Sequence, residues 1–130
     1  MTRDGVSREP STAKSINILC VSCAEELLSL RAAVLRGAGF RVIEERDVNR
    51  AVELALKDSI DLVLLCHTVS SFEQSRIIDA LRARRRHLPI ASVTTLDHES
   101  APAGSVPVPS DPQRLIDVIC GMFHEDGFKN

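Results

Sequence analysis

The stretch that decides the fold is DLVLLCHTVSS, Asp61–Ser71. An unbroken apolar run, Leu62–Leu65, stops at a cysteine, a histidine and several small polar residues. Short continuous apolar runs are typical of parallel strands that are buried on both faces, and such strands place functional side chains at the carboxyl edge of the sheet. The stretch therefore predicts a central strand with Cys66 at that edge.

Short apolar runs and helical stripes alternate on both sides of this strand. Four further runs predict strands: Ile16–Val21, Phe40–Ile43, Pro89–Val93 and, more weakly, Val106–Val108. The helical stripes predict helices from Ser22 to Gly37, from Val48 to Lys57, from Ser71 to about Arg86, and from Pro112 onward. Strands that alternate with helices of this length predict a doubly wound α/β domain with a parallel sheet.

Two helix starts carry the spacing of a capping box, in which a hydroxyl residue is followed three positions later by Glu or Gln. Ser22 with Glu25 is predicted to begin the first helix, and Ser71 with Gln74 the third. The segment TTLDHESAPAGS, 94–105, is different because it contains Pro102 and Gly104 and has no helical stripe. A shortened or missing fourth helix is therefore expected there.

Composition limits the classes of protein that remain. A chain of 130 residues with 44% hydrophobic and 26% charged residues is expected to form one globular domain, 15–124, after a disordered tail, 1–14, and before a C-terminal tail, 125–130. A net charge of −2 and a pI near 6.1 give no support for binding to nucleic acid or to an anionic membrane. The polar N-terminus lacks the apolar core of a signal peptide, so a cytoplasmic location with reduced cysteines is expected.

The order of these segments resembles the receiver domain of bacterial response regulators, the CheY-like family. The resemblance covers Ile16–Phe123 and depends on five segments: Ser22-Cys23 after the first strand, Gly39-Phe40, DLVLL followed by Cys66, PIASVTT ending near Thr94, and VPSDPQRLIDVI. It implies a flavodoxin-like, five-stranded parallel sheet with the strand order 2-1-3-4-5. It also implies a role in two-component signal transduction.

Receivers resemble one another in their phosphorylation chemistry, and this chain departs from it at nearly every position. The acidic pair that holds Mg²⁺ falls on Ser22 and Cys23, the phosphoryl-accepting aspartate on Cys66, and the lysine on Val108. Only the hydroxyl position is kept, as Thr94. Mg²⁺ prefers carboxylate oxygens, and a transferring phosphoryl group needs neighbouring positive charge. The resemblance therefore indicates a degenerate pseudo-receiver that has no Mg²⁺ or other cofactor and is not an enzyme.

Three functions from different classes are compatible with these residues. The first is a phosphorylation-independent module that binds a protein partner of a signalling pathway, with a homodimer as one option. A second is a thiol redox sensor that uses Cys23 and Cys66, in which the thiolate of Cys23 is favoured by the first turn of a helix. The alternative for both cysteines is simple space filling. The third is a small-ligand binder in the pocket that the carboxylates have left.

The strongest charge cluster is the run Arg82-Ala-Arg84-Arg85-Arg86 at the end of the third helix. Positive side chains there complement the partial negative charge at a helix C-terminus. A docking patch for an acidic partner or a phosphate-bearing ligand is the alternative. The sequence favours the first role.

Overall fold

The computed structural model describes residues 16–57, 59–95 and 101–128, so the N-terminal tail predicted for 1–14 lies outside the described residues. The strands are β1 (Asn17–Val21), β2 (Arg41–Glu45), β3 (Leu62–Leu65), β4 (Ile90–Thr94) and β5 (Val106–Pro109). The helices are α1 (Glu25–Gly37), α2 (Val48–Ala55), α3 (Ser71–Arg84) and α4 (Pro112–Phe128). None of the helices in these three ranges is long and apolar enough to cross a bilayer.

The strands form one parallel sheet in the order β2-β1-β3-β4-β5, as predicted. Each strand bonds to its neighbour in parallel register; Cys20 of β1, for example, stands opposite Leu64 of β3. Strands β1, β3 and β4 are buried almost throughout, because helices cover both faces of the sheet. The doubly wound α/β class is therefore confirmed.

Successive side chains of each strand point alternately into two separate hydrophobic cores. Leu19, Val63 and Ile90 pack on the α2 and α3 side. Cys20, Leu64 and Cys66 pack on the opposite side, where α1 and α4 contribute the buried residues Leu28, Leu35, Leu115 and Ile119. This alternation follows from the two-residue period of a strand.

Both predicted capping boxes are wrong in detail. The N-cap of α1 is Ala24, whose side chain makes no capping bond. Ser22 instead still belongs to the sheet edge, because its N–H donates to the carbonyl of Glu45. The N-cap of α3 is Ser70, whose Oγ accepts from the N–H of Glu73, so the helix starts one residue away from the predicted cap and Gln74 turns into the protein.

Several boundaries also differ from the prediction. β2 runs through Glu45, α2 stops at Ala55, and α3 stops at Arg84. α4 continues to Phe128, so the segment predicted as a C-terminal tail is partly helical. Ends of this kind are set by tertiary hydrogen bonds. For example, the Arg85 guanidinium donates to the carbonyls of Ala55, Lys57 and Ile60 and closes the end of α2.

The described part of the connection from β4 to β5, residues 101–105, contains no helix, as the sequence predicted. Three contacts hold this part of the connection. The Arg82 guanidinium donates to the carbonyl of Gly104 at 2.8 Å, and the Ser105 hydroxyl donates to the carbonyl of Pro102 at 2.8 Å. The Ser92 hydroxyl of β4 donates to Ser105 Oγ at 3.0 Å. Polar bonds therefore hold residues 101–105 in place.

Gly104 offers a direct test of this close connection. It has a φ of +93°, and a Cβ at this position would lie 2.7 Å from Cγ2 of Ile78 in α3. Gly104→Ala is expected to lower the free energy of unfolding by roughly 2–4 kcal/mol, because backbone strain and overpacking add together. Urea unfolding measures this value.

Two other glycines provide matched controls. Gly39 has a φ of +103° but open space at the Cβ position, so Gly39→Ala should cost only about 1–2 kcal/mol from the backbone. Gly37 ends α1 in open space, and Gly37→Ala should be neutral or stabilising by up to about 1 kcal/mol. Equal losses at Gly104 and Gly39 would show that the connection does not pack tightly on α3.

Candidate functional site

The carboxyl ends of β1 and β3 bring Ser22 next to Thr68. The N–H of Cys66 donates to the carbonyl of Val21 at 2.9 Å, which extends the strand pairing to the edge of the sheet. Beyond it, Ser22 Oγ and Thr68 Oγ1 share a hydrogen bond of 2.8 Å, and the N–H of Cys23 donates to the same Thr68 oxygen at 3.1 Å. A closed set of hydroxyl bonds thus occupies the position where the resemblance implies a metal-binding acidic pair.

Cys23 lies outside the helix in which it was predicted. The side chain is exposed, and α1 begins at Glu25 with Ala24 as its N-cap. The predicted placement of Cys23 in the first turn of a helix is therefore wrong. The reason is that Ser22 remains bonded in the sheet, so the helix starts later than the predicted capping box requires.

Cys66 is fully buried and contacts another cysteine. Its Sγ lies 3.9 Å from Sγ of Cys20, on the α1 side of the sheet. The sequence predicts that Cys66 pairs with Cys23, because both follow strand ends. The structure instead brings it to Cys20, because Cys20 and Cys66 point to the same face of neighbouring strands. The Cys23–Cys66 redox pair stays a prediction, without a contact between the two thiols to support it.

A buried arginine completes this cluster. Arg31 of α1 is 6% exposed, and its guanidinium lies beside the two thiols, where it interacts with both. Its Nη1 donates to the carbonyl of Ser110 at 3.5 Å, and its Nε is without a hydrogen-bond partner. No carboxylate within the described residues pairs with it. A buried cation of this kind needs a nearby negative charge, and the thiols are the groups at hand.

The two thiols have pKa values that move in opposite directions. The hydrogen bond from Cys20 lowers the pKa of Cys66, and the positive charge and hydrogen bond of Arg31 act in the same direction against the cost of burial. The hydrogen bond to Cys66, together with burial, raises the pKa of Cys20. The cluster therefore favours one thiolate, on Cys66, with Cys20 protonated.

Thr94 and Val108 meet at the ends of β4 and β5. The hydroxyl of Thr94 donates to the carbonyl of Val108 at 3.3 Å. Val108 is buried in the α1 and α4 core, so an apolar side chain occupies the position where the resemblance implies a lysine. The cation that reaches the acceptor position comes from α1, as Arg31, and not from β5.

The donors at this edge do not fit Mg²⁺. They are a hydroxyl already bonded to Thr68, an exposed thiol and a buried thiol, whereas Mg²⁺ requires oxygen ligands in octahedral arrangement. The nearby carboxylate of Glu25 lies at the surface and pairs with Arg46 at 3.5 Å. In the parts of the chain that are described, no group of three His, Cys, Asp or Glu side chains is arranged to hold a metal.

The predicted arginine patch divides into two pairs. Arg82 donates to the carbonyls of Arg86 and Leu88 and crosses to Gly104, and Arg85 closes α2. These two side chains act as helix-end and loop braces, which supports the structural role considered for the run. Arg84 and Arg86 are exposed. A docking role is thus limited to these last two.

Sequence reasoning missed Cys20, Arg31, Thr68 and Gln74. Arg31 could have been predicted to be buried, because it lies on the same helical stripe as Leu28 and Leu35, where a charged residue is unexpected. Cys20 was placed inside a strand but without its partner, because strand register is not contained in local sequence. Nothing in the local sequence predicted the orientations of Thr68 and Gln74, because these depend on the loop after β3 and on the residue at which α3 begins.

Comparison with known proteins identifies the architecture. No protein-family model and no curated sequence matches this chain. Solved structures do match. The chemotaxis response regulator CheY4 of Vibrio cholerae aligns with a TM-score of 0.67 and 18% identity over 82% of this chain and 97% of that chain. The fold is that of a receiver domain.

Two further structures give the same result. A response regulator receiver protein from Sinorhizobium medicae aligns with a TM-score of 0.68 and 17% identity over 87% of this chain and 98% of that chain. A response regulator protein from Burkholderia multivorans aligns with a TM-score of 0.62 and 23% identity over 85% of this chain and 96% of that chain. At these identities the similarity establishes the receiver fold and leaves its chemistry to be argued from the residues.

The thiolate on Cys66 can be tested by titration. In a Cys23→Ser, Cys120→Ser background, which removes the two exposed thiols, thiolate absorbance in the far ultraviolet should appear below the ordinary pKa of 9.0. Arg31→Met should move that titration to higher pH, because the guanidinium no longer stabilises the charge. An unchanged titration in Arg31→Met would show that Arg31 has no part in it.

The same ionisation should appear in the pH dependence of stability. Between the lowered pKa of the folded state and pH 9.0, the unfolded chain binds a proton at Cys66 that the folded chain does not. The stabilisation from this thiolate is present above that pH and is lost as the pH falls through the lowered pKa of the folded state. Urea unfolding at several pH values should show this slope in the background protein and not after Cys66→Ser. The raised pKa of Cys20 acts only above pH 9.0 and leaves this window unaffected.

Proposed function

We propose that this chain is a pseudo-receiver, a phosphorylation-independent protein-interaction module of bacterial signal transduction. The observation that carries this proposal is the burial of Cys66, which stands where receivers have the phosphoryl-accepting aspartate. Cys66 is 0% exposed and its thiol points at Cys20 and Arg31, away from the solvent edge where a phosphodonor approaches. A buried thiol beside a closed hydroxyl pair offers neither an accessible nucleophile nor a metal site.

Electrostatics support the same proposal. Phosphoryl transfer needs positive charge on the equatorial oxygens, which receivers obtain from Mg²⁺ and a lysine. Here the metal ligands are replaced, and the Arg31 guanidinium is turned into the core towards the thiols and the Ser110 carbonyl. Its charge is already engaged there.

The surface next to β5 is the proposed docking face. Without a covering helix over residues 101–105, Val106 of this edge strand is 45% exposed. Pro107 and Pro109 have no N–H to donate, which is typical of an edge strand. A free edge without these donors resists addition of another strand. The partner is therefore expected to bind through side chains.

The partner is a protein of a signalling pathway, and a second copy of this chain is one option. Arg84 and Arg86, at the exposed end of α3, supply positive charge for an acidic surface. Nucleic acid is not proposed, because the net charge is −2 and aromatic residues make up 3% of the chain. Specific pairing would then depend on apolar contact at β5 with these charges nearby.

Intact mass after incubation with Mg²⁺ and a small-molecule phosphodonor tests the proposal. No phosphoryl adduct is expected, and the sedimentation profile should be the same with and without the donor. An active receiver domain in the same reaction verifies the phosphodonor. An adduct on this chain would overturn the proposal, and its loss in Cys66→Ser would identify the acceptor.

The redox sensor is the second candidate, because the Cys20 and Cys66 sulfurs are only 3.9 Å apart. The backbone opposes a disulfide between them. Cys20 stands opposite Leu64, so Cys66 lies two positions further along β3. From a strand spacing of about 4.8 Å and a rise of about 3.3 Å per residue, the Cα atoms are roughly 8 Å apart, beyond the usual limit of about 7 Å.

Treatment with a mild oxidant distinguishes the redox sensor from the interaction module. In native protein no internal disulfide is expected, and alkylation should find only Cys23 and Cys120 accessible, because Cys20 and Cys66 are buried. Oxidation of urea-unfolded protein is the control that all four thiols can react. A reversible internal disulfide in native protein, lost in Cys66→Ser, would favour the redox sensor over the interaction module.

A further inference from the structure

Two buried thiols face each other on the α1 side of the sheet. Sγ of Cys20 lies 3.9 Å from Sγ of Cys66, and both side chains are 0% exposed. They belong to the core cluster that also contains Ile18, Leu28 and Leu64. A pair of soft sulfur donors thus lies among apolar side chains.

The backbone spacing that opposes a disulfide suits a bridging ion. A disulfide holds its sulfurs about 2.05 Å apart, whereas a metal ion with two sulfur ligands separates them by up to twice a metal–sulfur bond. That bond is about 2.3 Å long for zinc and slightly shorter for Cu(I), so a linear site spans roughly 4.4 Å. The sulfurs of Cys20 and Cys66, 3.9 Å apart, reach this span by small side-chain rotations and without movement of β1 or β3.

The number of donors selects the kind of ion. Structural zinc takes four ligands, and Mg²⁺ takes oxygen ligands. Across the described ranges 16–57, 59–95 and 101–128, no group of three His, Cys, Asp or Glu side chains could hold a metal. Cu(I) is a soft ion that prefers thiolates, and two of them complete a stable linear site. Two sulfurs in an apolar core therefore fit Cu(I) better than either divalent ion.

Arg31 supplies the charge that such a site requires. Cu(I) with two thiolates is a complex of net charge −1, which is costly to bury without a cation. The Arg31 guanidinium is 6% exposed and lies beside both thiols. Its Nε has no hydrogen-bond partner, and no carboxylate in the described part of the chain forms an ion pair with it. The guanidinium and the anionic complex therefore neutralise each other.

We infer that Cys20 and Cys66 bind one Cu(I) ion as a two-coordinate bis-thiolate, with Arg31 as the counter-charge. The ion takes the place of the proton that lies in the hydrogen bond between the two sulfurs. Cu⁺ forms one bond to the Cys66 thiolate and one to the Cys20 sulfur, whose S–H bond breaks and releases its proton to water. No electron is transferred. The site goes beyond the proposed interaction module and does not depend on it.

Copper binding to the full chain tests the inference. The Cys23→Ser, Cys120→Ser background removes the two exposed thiols. Because the remaining sulfurs are buried, the protein is refolded from urea without oxygen in the presence of the Cu(I)–bicinchoninate complex. One copper ion per monomer should remain after gel filtration, and X-ray absorption should show two sulfur neighbours and no third ligand. Zn²⁺ in the same procedure should not be retained.

Matched variants separate the site from the packing of the core. Cys20→Ala and Cys66→Ala should each abolish copper retention. Val93→Ala shortens a side chain of the same core without removing a sulfur, and it should retain one ion. Arg31→Met should weaken binding at least about tenfold, because the buried complex loses its counter-charge, and Arg31→Lys should restore most of the affinity. Circular dichroism of each variant without copper checks its fold.

Several results would overturn the inference. They are the absence of copper from the refolded background protein, a third ligand in the absorption spectrum, and copper shared between two chains in sedimentation. Retention of copper by either cysteine variant, or equal affinity in Arg31→Met, has the same consequence. If a cysteine variant does not fold, the absorption spectrum of the background protein still decides the coordination.

Discussion

The two-residue period of strands that are covered on both faces is the constraint on which the rest of this protein depends. Once β1, β3 and β4 are buried between two helical layers, each side chain must join one core or the other. Cys20, Leu64 and Cys66 share the α1 side. The residue at the acceptor position therefore contributes to a core cluster, and its thiol meets another thiol instead of solvent.

The same constraint explains why the Arg31 guanidinium can be buried in this core. A guanidinium in the α1 stripe would be a costly buried charge in a purely apolar core. Here it lies beside sulfur atoms that can hold a negative charge, and it reaches the carbonyl of Ser110 that begins the approach to α4. The cation beside Cys66 thus comes from a helix, and its charge is engaged in the core.

The connection between β4 and β5, whose residues 101–105 contain no helix, has its own consequences. The connection is held by Arg82 through Gly104 and by the Ser92–Ser105 hydroxyl bond. Arg82 of the arginine run therefore has a structural role in holding this connection. At the edge strand β5, Val106 is 45% exposed. This edge is the surface proposed for protein binding.

The sequence by itself determined the α/β class, the strand order through its resemblance to receivers, and the absence of a helix over residues 101–105. These features depend on periodicity, on glycine and proline, and on residue identity, which are local. Only the tertiary structure decided that Cys66 contacts Cys20, that Arg31 joins them, and that Gln74 is buried. These contacts depend on strand register and on where each helix starts, and both are fixed by packing between segments distant in the chain.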